Sequence, residues 1–450
     1  MSFRNVFVVA VCTLAVPVAL VNAYFGILMW TWIAYFNPHR LAWGAVRTGY
    51  FFQPALLIAI PTLLGTIFAP KNKKILCRET VILAGLWFWF AFTTLYIAFV
   101  PEFAGHVKDA NLHLQEVSKI LLMTFVTILL VISKKKLRIL VLLIIASFGL
   151  RIFFGALFYL KSGGEFQIWG PEGSFLYDNN DFALAINMTI PMFFFMARAE
   201  SSMWMRVVLR GLMLCAVVCV IGTYSRGGLL GLAAITVAIV AKSRYRMVSF
   251  IVVAIAVVCL VMFTTKKWQD RMSEFLQGNL DSSATGRLVA WGGGWNLAME
   301  YPLTGGGFDV YTDQAVFPSF VPRKLRSALY QKNLQLHSSH SVYFELLGEQ
   351  GFVGLGLFLA LLVTCYASLR RLRKEAMSDS RVEWVEPYTH MFEVSILAFM
   401  VNGATLGRAY FDFFYQIVAL VIIAKILVAR DLEVGESDAQ PIENLEAVAA

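Results

Sequence analysis

The chain has 450 residues, of which 58% are hydrophobic and only 15% charged, with a formal net charge of +9. Soluble domains carry about 25% charged residues, so a string of water-soluble domains is excluded. The positive charge sits in short clusters between apolar blocks, with no separate basic domain carrying interleaved aromatics, which excludes a nucleic-acid-binding module.

The apolar segments, in chain order, are 5–36, 51–69, 80–100, 117–133, 137–160, 179–197, 207–223, 227–241, 247–265, 341–369, 388–406 and 410–429. Most approach the length of a bilayer-spanning helix, about 20 residues. Runs such as 247–265, MVSFIVVAIAVVCLVMFTT, are apolar around the whole helix and carry no charge, as a membrane span requires. The fold class is an all-α polytopic membrane protein. The first segment is long for one span and short for two, and Pro17 or Asn22 can mark a kink or a tight turn. The count is therefore 12 or 13 transmembrane helices. Because the apolar character of the first segment runs on to Phe36 with no small-residue cleavage site, it is read as retained rather than as a signal peptide. The chain divides into an N-terminal transmembrane bundle (1–265), one long loop (266–340), C-terminal transmembrane helices (341–430) and a polar, acidic tail (431–450) whose composition reads as disordered. Cys12, Cys215, Cys219, Cys259 and Cys365 lie in apolar blocks and Cys77 in a Lys-rich flank. Neither a disulfide framework nor a metal-ligand spacing results.

Lys71, Lys73, Lys74 and Arg78 mark one side of the membrane. So do Lys134–Lys136 with Arg138, then Arg198, Arg206 and Arg210, then Lys242, Arg244 and Arg246, then Arg370, Arg371, Arg373 and Lys374. Successive clusters are two spans apart, and the side rich in Lys and Arg is cytoplasmic. The long loop, the Ser225-Arg226 turn and the tip near Arg408 then face outward, which in a bacterial inner membrane is the periplasm.

Three places on that face can carry chemistry. Arg226, in the turn Thr223-Tyr-Ser-Arg-Gly-Gly228, stands at a helix start, where backbone N–H groups already favour an anion and the guanidinium fork suits phosphate. It can equally snorkel to lipid headgroups. Arg287 opens a stretch in which a Ser/Thr cap and Trp291, Trp295 and Met299 at four-residue spacing predict a surface helix, weakened by Gly292–Gly294. Arg287 can bind a substrate phosphate or a lipid phosphate. His340 stands where the loop re-enters the membrane and can act as a general base. His337 is three residues away, but no third metal ligand stands at a recognised spacing. Arg323, Lys324 and Arg326 form a basic cluster that can attract substrate or lipid. Gly305–Gly307 read as a flexible turn, since no Lys-Ser/Thr follows to make a P-loop. Asp178, Asp181 and Glu345 fall near the same face.

Eight stretches resemble a known group: WTWIAYFNPHRLAWG (30–44), ILLMTFVTILL (120–130), IWGPEGSFLYDNNDFALA (168–185), TYSRGGLLGLAA (223–234), SATGRLVAW (283–291), PLTGGGFDVY (302–311), HSVYFELLGEQGFVGLGLF (340–358) and RAYFDFFYQIVALV (408–421). The chain is similar to the O-antigen ligase/polymerase superfamily, most closely its exosortase-associated O-glycosylation ligase branch. The resemblance implies a GT-C-like membrane glycosyltransferase, inverting and metal-independent, without a cofactor. It implies transfer of a glycan from undecaprenyl diphosphate to a protein or lipid acceptor hydroxyl on the periplasmic face. By the same resemblance Arg226 and Arg287 bind the diphosphate and His340 is the catalytic base. His337, Glu345, Arg323 and Arg326 are secondary candidates. The glycine triplet at Gly292 departs from the bulkier residues of that branch. A polymerase of exopolysaccharide or O-antigen repeat units could use the same site. A transporter is the reading from a different class. It calls for mid-membrane charge and related halves, whereas only Arg151 and Glu393 stand out within spans and no internal repeat is visible.

Overall fold

The computed structural model describes residues 3–41, 53–242, 282–326 and 338–446. The predicted span at 247–265, the first part of the long loop and His337 lie outside the described residues. Among the described residues every regular element is a helix. Eight helices are long and apolar enough to cross a membrane, and three apolar helices are shorter.

The first segment is two helices, α1 (Phe3–Val21) and α2 (Ala23–Phe36). Asn22 leaves helical geometry (φ −126°, ψ 86°), and its side chain caps α2 by accepting from Phe25 N. Helix α1 packs against α2 and against the 3-10 turn Pro38–Leu41 that follows α2, so the chain reverses at Asn22. Pro17 stays inside α1. Helix α3 (Pro54–Phe68) lies across both.

Next come α4 (Arg78–Ile97), α5 (Val107–Leu130), α6 (Lys134–Lys161), α7 (Asn179–Ala199), α8 (Met203–Gly222) and α9 (Arg226–Ala241). Helix α7 is largely apolar, with Asp181 and Asn187 as buried polar exceptions, and has 83% of its span buried. It packs on α8, α9 and the later α12 (Glu386–Gly403). The last helix, α13 (Asp412–Glu446), has 78% of its span buried. These two are the central posts of the bundle, as helices apolar around most of their surface must be. The backbone of α13 is helical to Glu446, well into the tail whose composition reads as disordered. Asp431 and Glu433, at the start of that tail, are tied to Lys134 and Lys74 (both 2.8 Å).

The loop contributes α10 (Ser282–Glu300), and the chain re-enters through α11 (Val342–Ser378). The predicted span at 341–369 is not one continuous helix. It breaks at Gly351, where φ is +66°, a value that side chains with a Cβ adopt at a cost. The break frees backbone groups, and the loop answers them. Gly306 N and Gly307 N donate to Gly348 O and Glu349 O (2.8 and 2.9 Å), and Phe352 N donates to Pro302 O (2.8 Å). The glycine run at 305–307 is therefore a fitted turn whose backbone serves the broken helix.

The basic clusters meet at one end of the bundle. Besides the two pairs at the tail, Arg138 pairs with Glu200 (2.7 Å), and Glu393 is held by Lys242 (3.0 Å) and Arg373. Arg151 donates to Phe36 O and Asn37 O at the end of α2. A third charge within a span, Lys425, escaped the sequence reading. It pairs with buried Glu79 (2.9 Å), which Ser368 also contacts.

Candidate functional site

At the opposite end, three segments singled out from sequence are linked: two of them meet the turn 404–408, and the third packs on one of these two. The first is the start of α9. Ser225 caps it by accepting from Gly228 N (2.9 Å) and donates to Asn180 Oδ1 (2.6 Å). Thr223 O accepts from Gln167 and Asn179 (both 2.9 Å), and Asn187 donates to Gly228 O (2.8 Å). Tyr224 sits at φ +55° with its hydroxyl on Gly164 O. Left-handed backbone at a residue other than glycine persists only where its surroundings over-determine it, and this turn is held by side chains from α7 and the 164–167 segment. Arg226, the first residue of α9, is thereby fixed in direction at a helix N-terminus.

The second segment is α10. Residues 282–300 form an unbroken helix despite Gly292–Gly294. The glycines are needed for close packing, since a Cβ on Gly292 would meet Pro322 at 2.8 Å, one on Gly293 would meet Phe317 at 2.5 Å, and one on Gly294 would collide with the Tyr311 hydroxyl. This corrects the expectation that they weaken the helix. Trp291 does not share the exposed face of Trp295 and Met299. Its indole N–H donates to Ser339 O (2.9 Å), and its ring stacks on Phe344 (centroids 5.1 Å apart, planes at 7°). Arg287 lies one helical turn before Trp291, the residue that ties this helix to the His340 segment.

The third segment is Ser338–Ser341, just before α11. His340 has φ +51°, and its N–H donates to Ser338 Oγ (3.2 Å). The turn 404–408 touches this segment and the start of α9. A Cβ on Gly227 would meet Thr405 Oγ1 at 2.6 Å, and one on Gly407 would collide with Ser338 and reach His340 N at 3.2 Å. At both glycines a Cβ would run into side-chain hydroxyls of the facing segment.

Behind this turn lies a polar network that the sequence did not reveal. Arg408 grips Asp181 of α7 with two guanidinium nitrogens, a bidentate geometry. Burial works against its charge, but Asp181, with Glu345 and Asp178 near it, raises the Arg408 pKa above its ordinary value. Glu345 accepts from Ala409 N (2.6 Å) and Glu349 from Tyr410 (2.8 Å) and Asp309 N (3.1 Å), while His113 meets Asp309 (2.9 Å). His106 bridges Gly306 O (2.8 Å) and Asp313 (3.2 Å), pinning the loop to α5.

The remaining candidates separate from this centre. Arg326 is used locally, donating to Val321 O (2.9 Å) and Ser319 O. Arg323 is exposed on the same segment. Glu345 stays close, one turn beyond Ser341. His337 lies outside the described residues.

Residues 211–359, which contain Arg226, Arg287 and His340, match the family model for O-antigen ligase. The chain carries an O-antigen ligase domain. That domain supports the O-antigen ligase/polymerase superfamily and a membrane glycan ligase or polymerase type of function on a lipid-linked glycan. Residues 3–201 match a family of unknown function, DUF5935. No curated protein matches the chain. In the O-antigen ligase domain, Arg226 and His340 are 114 positions apart in sequence, yet both adjoin the turn 404–408, which lies beyond the matched residues. The anchoring residues Asn179, Asn180, Asn187 and Asp181 fall in the other match, so the site draws on both halves of the chain.

Proposed function

We propose that the protein is an inverting membrane glycosyltransferase that moves a glycan from undecaprenyl diphosphate to a hydroxyl of a protein or lipid acceptor on the periplasmic face. The observation that carries this reading is that the Arg226 helix start and the His340 segment meet one turn, while the Arg287 helix is anchored to the His340 segment, at the end opposite the ion-paired basic clusters. Arg226 and Arg287 neutralise the diphosphate as charge grows on the leaving oxygen. His340 accepts the proton of the acceptor hydroxyl as that oxygen attacks the anomeric carbon. The new glycosidic bond forms as the bond to diphosphate breaks, and undecaprenyl diphosphate leaves. The diphosphate is itself an activated leaving group, so the reaction calls for no cofactor, and the family resemblance implies that it proceeds without a metal. The eight stretches quoted above support placement in the exosortase-associated O-glycosylation ligase branch. Repeat-unit polymerisation uses the same bond changes with a glycan acceptor.

The test is transfer by purified protein from an undecaprenyl-diphosphate glycan to candidate acceptors in the presence of chelator. His340→Ala and Arg226→Ala should each abolish transfer while the protein still inserts into the membrane. Full transfer by both variants would overturn the assignment. In cells lacking the protein, loss of the conjugate with free polymer retained indicates a ligase, and loss of chain length indicates a polymerase.

A further inference from the structure

Beside the turn 404–408 lies a second feature, a cavity of about 350 Å³. It is bordered by the end of α2 and the 3-10 turn after it, by α5, by Glu345 of α11 and by residues 407–412. Two of its polar atoms are buried without a hydrogen-bond partner, His39 Nδ1 and Asp412 Oδ1. Native proteins rarely leave such atoms unmet. The neighbouring polar groups are already engaged: Arg408 with Asp181, His113 with Asp309 and Glu345 with Ala409 N. The frame is thus held by internal bonds, and two hydrogen-bonding atoms on its lining residues are left without a partner.

The chemistry of the walls selects the ligand. Glu116, Glu345 and Asp412 face the cavity against Lys119 and Arg408, and Arg408 is already neutralised by Asp181. Burial, with Arg40 and Arg151 nearby, pushes His39 down to about 4, so its imidazole is neutral at pH 7. A neutral ring with many hydroxyls suits these walls, because its O–H groups can donate to a carboxyl oxygen and to an unprotonated imidazole nitrogen. Aromatic walls, Trp30, Phe175 and Phe411, offer flat surfaces to the C–H faces of such a ring. The volume lies at the lower end of the range for small-molecule sites, about 300–1,000 Å³.

The cavity adjoins the catalytic segment. Gly407 lines it and presses on Ser338 and His340 N, and Glu345 belongs to the helical turn that follows Ser341. We propose that this cavity is a glycosyl subsite that binds one uncharged sugar ring of the substrate through Asp412 and His39, next to His340. The proposal deepens the transferase reading and rests on it. The ring can belong to the donor glycan or to a glycan acceptor.

The experiment uses the full chain purified in detergent. Saturation-transfer NMR is recorded with the methyl glycosides of hexoses and N-acetylhexosamines, and binding of inorganic pyrophosphate is followed in parallel. At least one glycoside should bind the wild type. His39→Gln with Asp412→Asn should weaken that binding at least tenfold and leave pyrophosphate binding unchanged, which also shows that the variant is folded. Ala34→Phe, which puts a ring on the cavity wall and leaves His39 and Asp412 in the sequence, should have the same effect. In transfer assays these variants should raise KM at least tenfold with little change in kcat. A rise in the donor's KM assigns the ring to the donor, and a rise in the acceptor's KM assigns it to the acceptor. The subsite is overturned if no glycoside binds the wild type, or if folded variants bind glycosides as the wild type does. Arg226→Ala separates the two claims. It should weaken pyrophosphate binding and spare glycoside binding, and unchanged pyrophosphate binding would remove Arg226 as a diphosphate ligand while leaving the subsite standing.

Discussion

Asp181 and Arg408 illustrate how a charge within this bundle is tolerated. The Asp181 side chain is fully buried and Arg408 is its only ion-pair partner among the described residues. Removing the cation strands a buried carboxylate, which costs about 3–5 kcal/mol. Arg408→Leu should therefore lower the thermal unfolding midpoint in detergent more than Asp181→Asn does, because the asparagine leaves a partly exposed guanidinium that water can reach. Equal effects would mean that the pair is not what holds the 407–412 segment. His39 makes a pH prediction. Its folded pKa, about 4, lies below the ordinary value near 6.5, so below pH 6.5 the unfolded chain binds the proton more readily. This contribution to stability is complete above pH 6.5 and is lost as pH falls towards 4. Unfolding midpoints measured between pH 4.5 and 7.5 should fall on the acid side, and His39→Gln should flatten that slope.

Among elements, α10 depends on a tertiary anchor. Trp291 ties it to Ser339 and Phe344, and the glycine face behind it admits Pro322, Phe317 and Tyr311. Trp291→Ala removes a hydrogen bond and a large, partly buried stacked ring, a loss below the figure of about 3–5 kcal/mol for a fully buried aromatic. The expected outcome is faster proteolysis of the loop and at least a tenfold loss of transfer, with membrane insertion retained, because Arg287 rides on this helix. Unchanged proteolysis would show that α10 is held by other contacts. The glycines at 292–294 were read from sequence as a weakness, since helix propensity counts only their backbone freedom. What they admit from other segments is invisible until those segments are folded against them.

At the scale of the whole molecule, the two ends differ in kind. One gathers ion pairs from the basic clusters at Lys74, Lys134, Arg138, Lys242 and Arg373. The other gathers the Arg226, Arg287 and His340 segments. If the first end is cytoplasmic, a cysteine placed at Ser319 in a Cys77→Ser background should react with an impermeant thiol reagent in intact spheroplasts. One placed at Lys135 should react only after permeabilisation. The reverse pattern would invert the proposed orientation.

The all-helical membrane class, most of the helix positions and the candidates Arg226, Arg287 and His340 were legible in the sequence. Each rests on a local signal: apolar run length, charge between runs, or a short motif. Tertiary structure decided what those signals leave open. It split the first segment at Asn22, broke α11 at Gly351 and turned Trp291 inward. It also paired Asp181 with Arg408, 227 residues away. Hydrophobicity and charge act on each segment alone and survive as patterns along the chain. Partner choice among buried polar groups depends on which helix ends meet in space, and no spacing in the sequence records that.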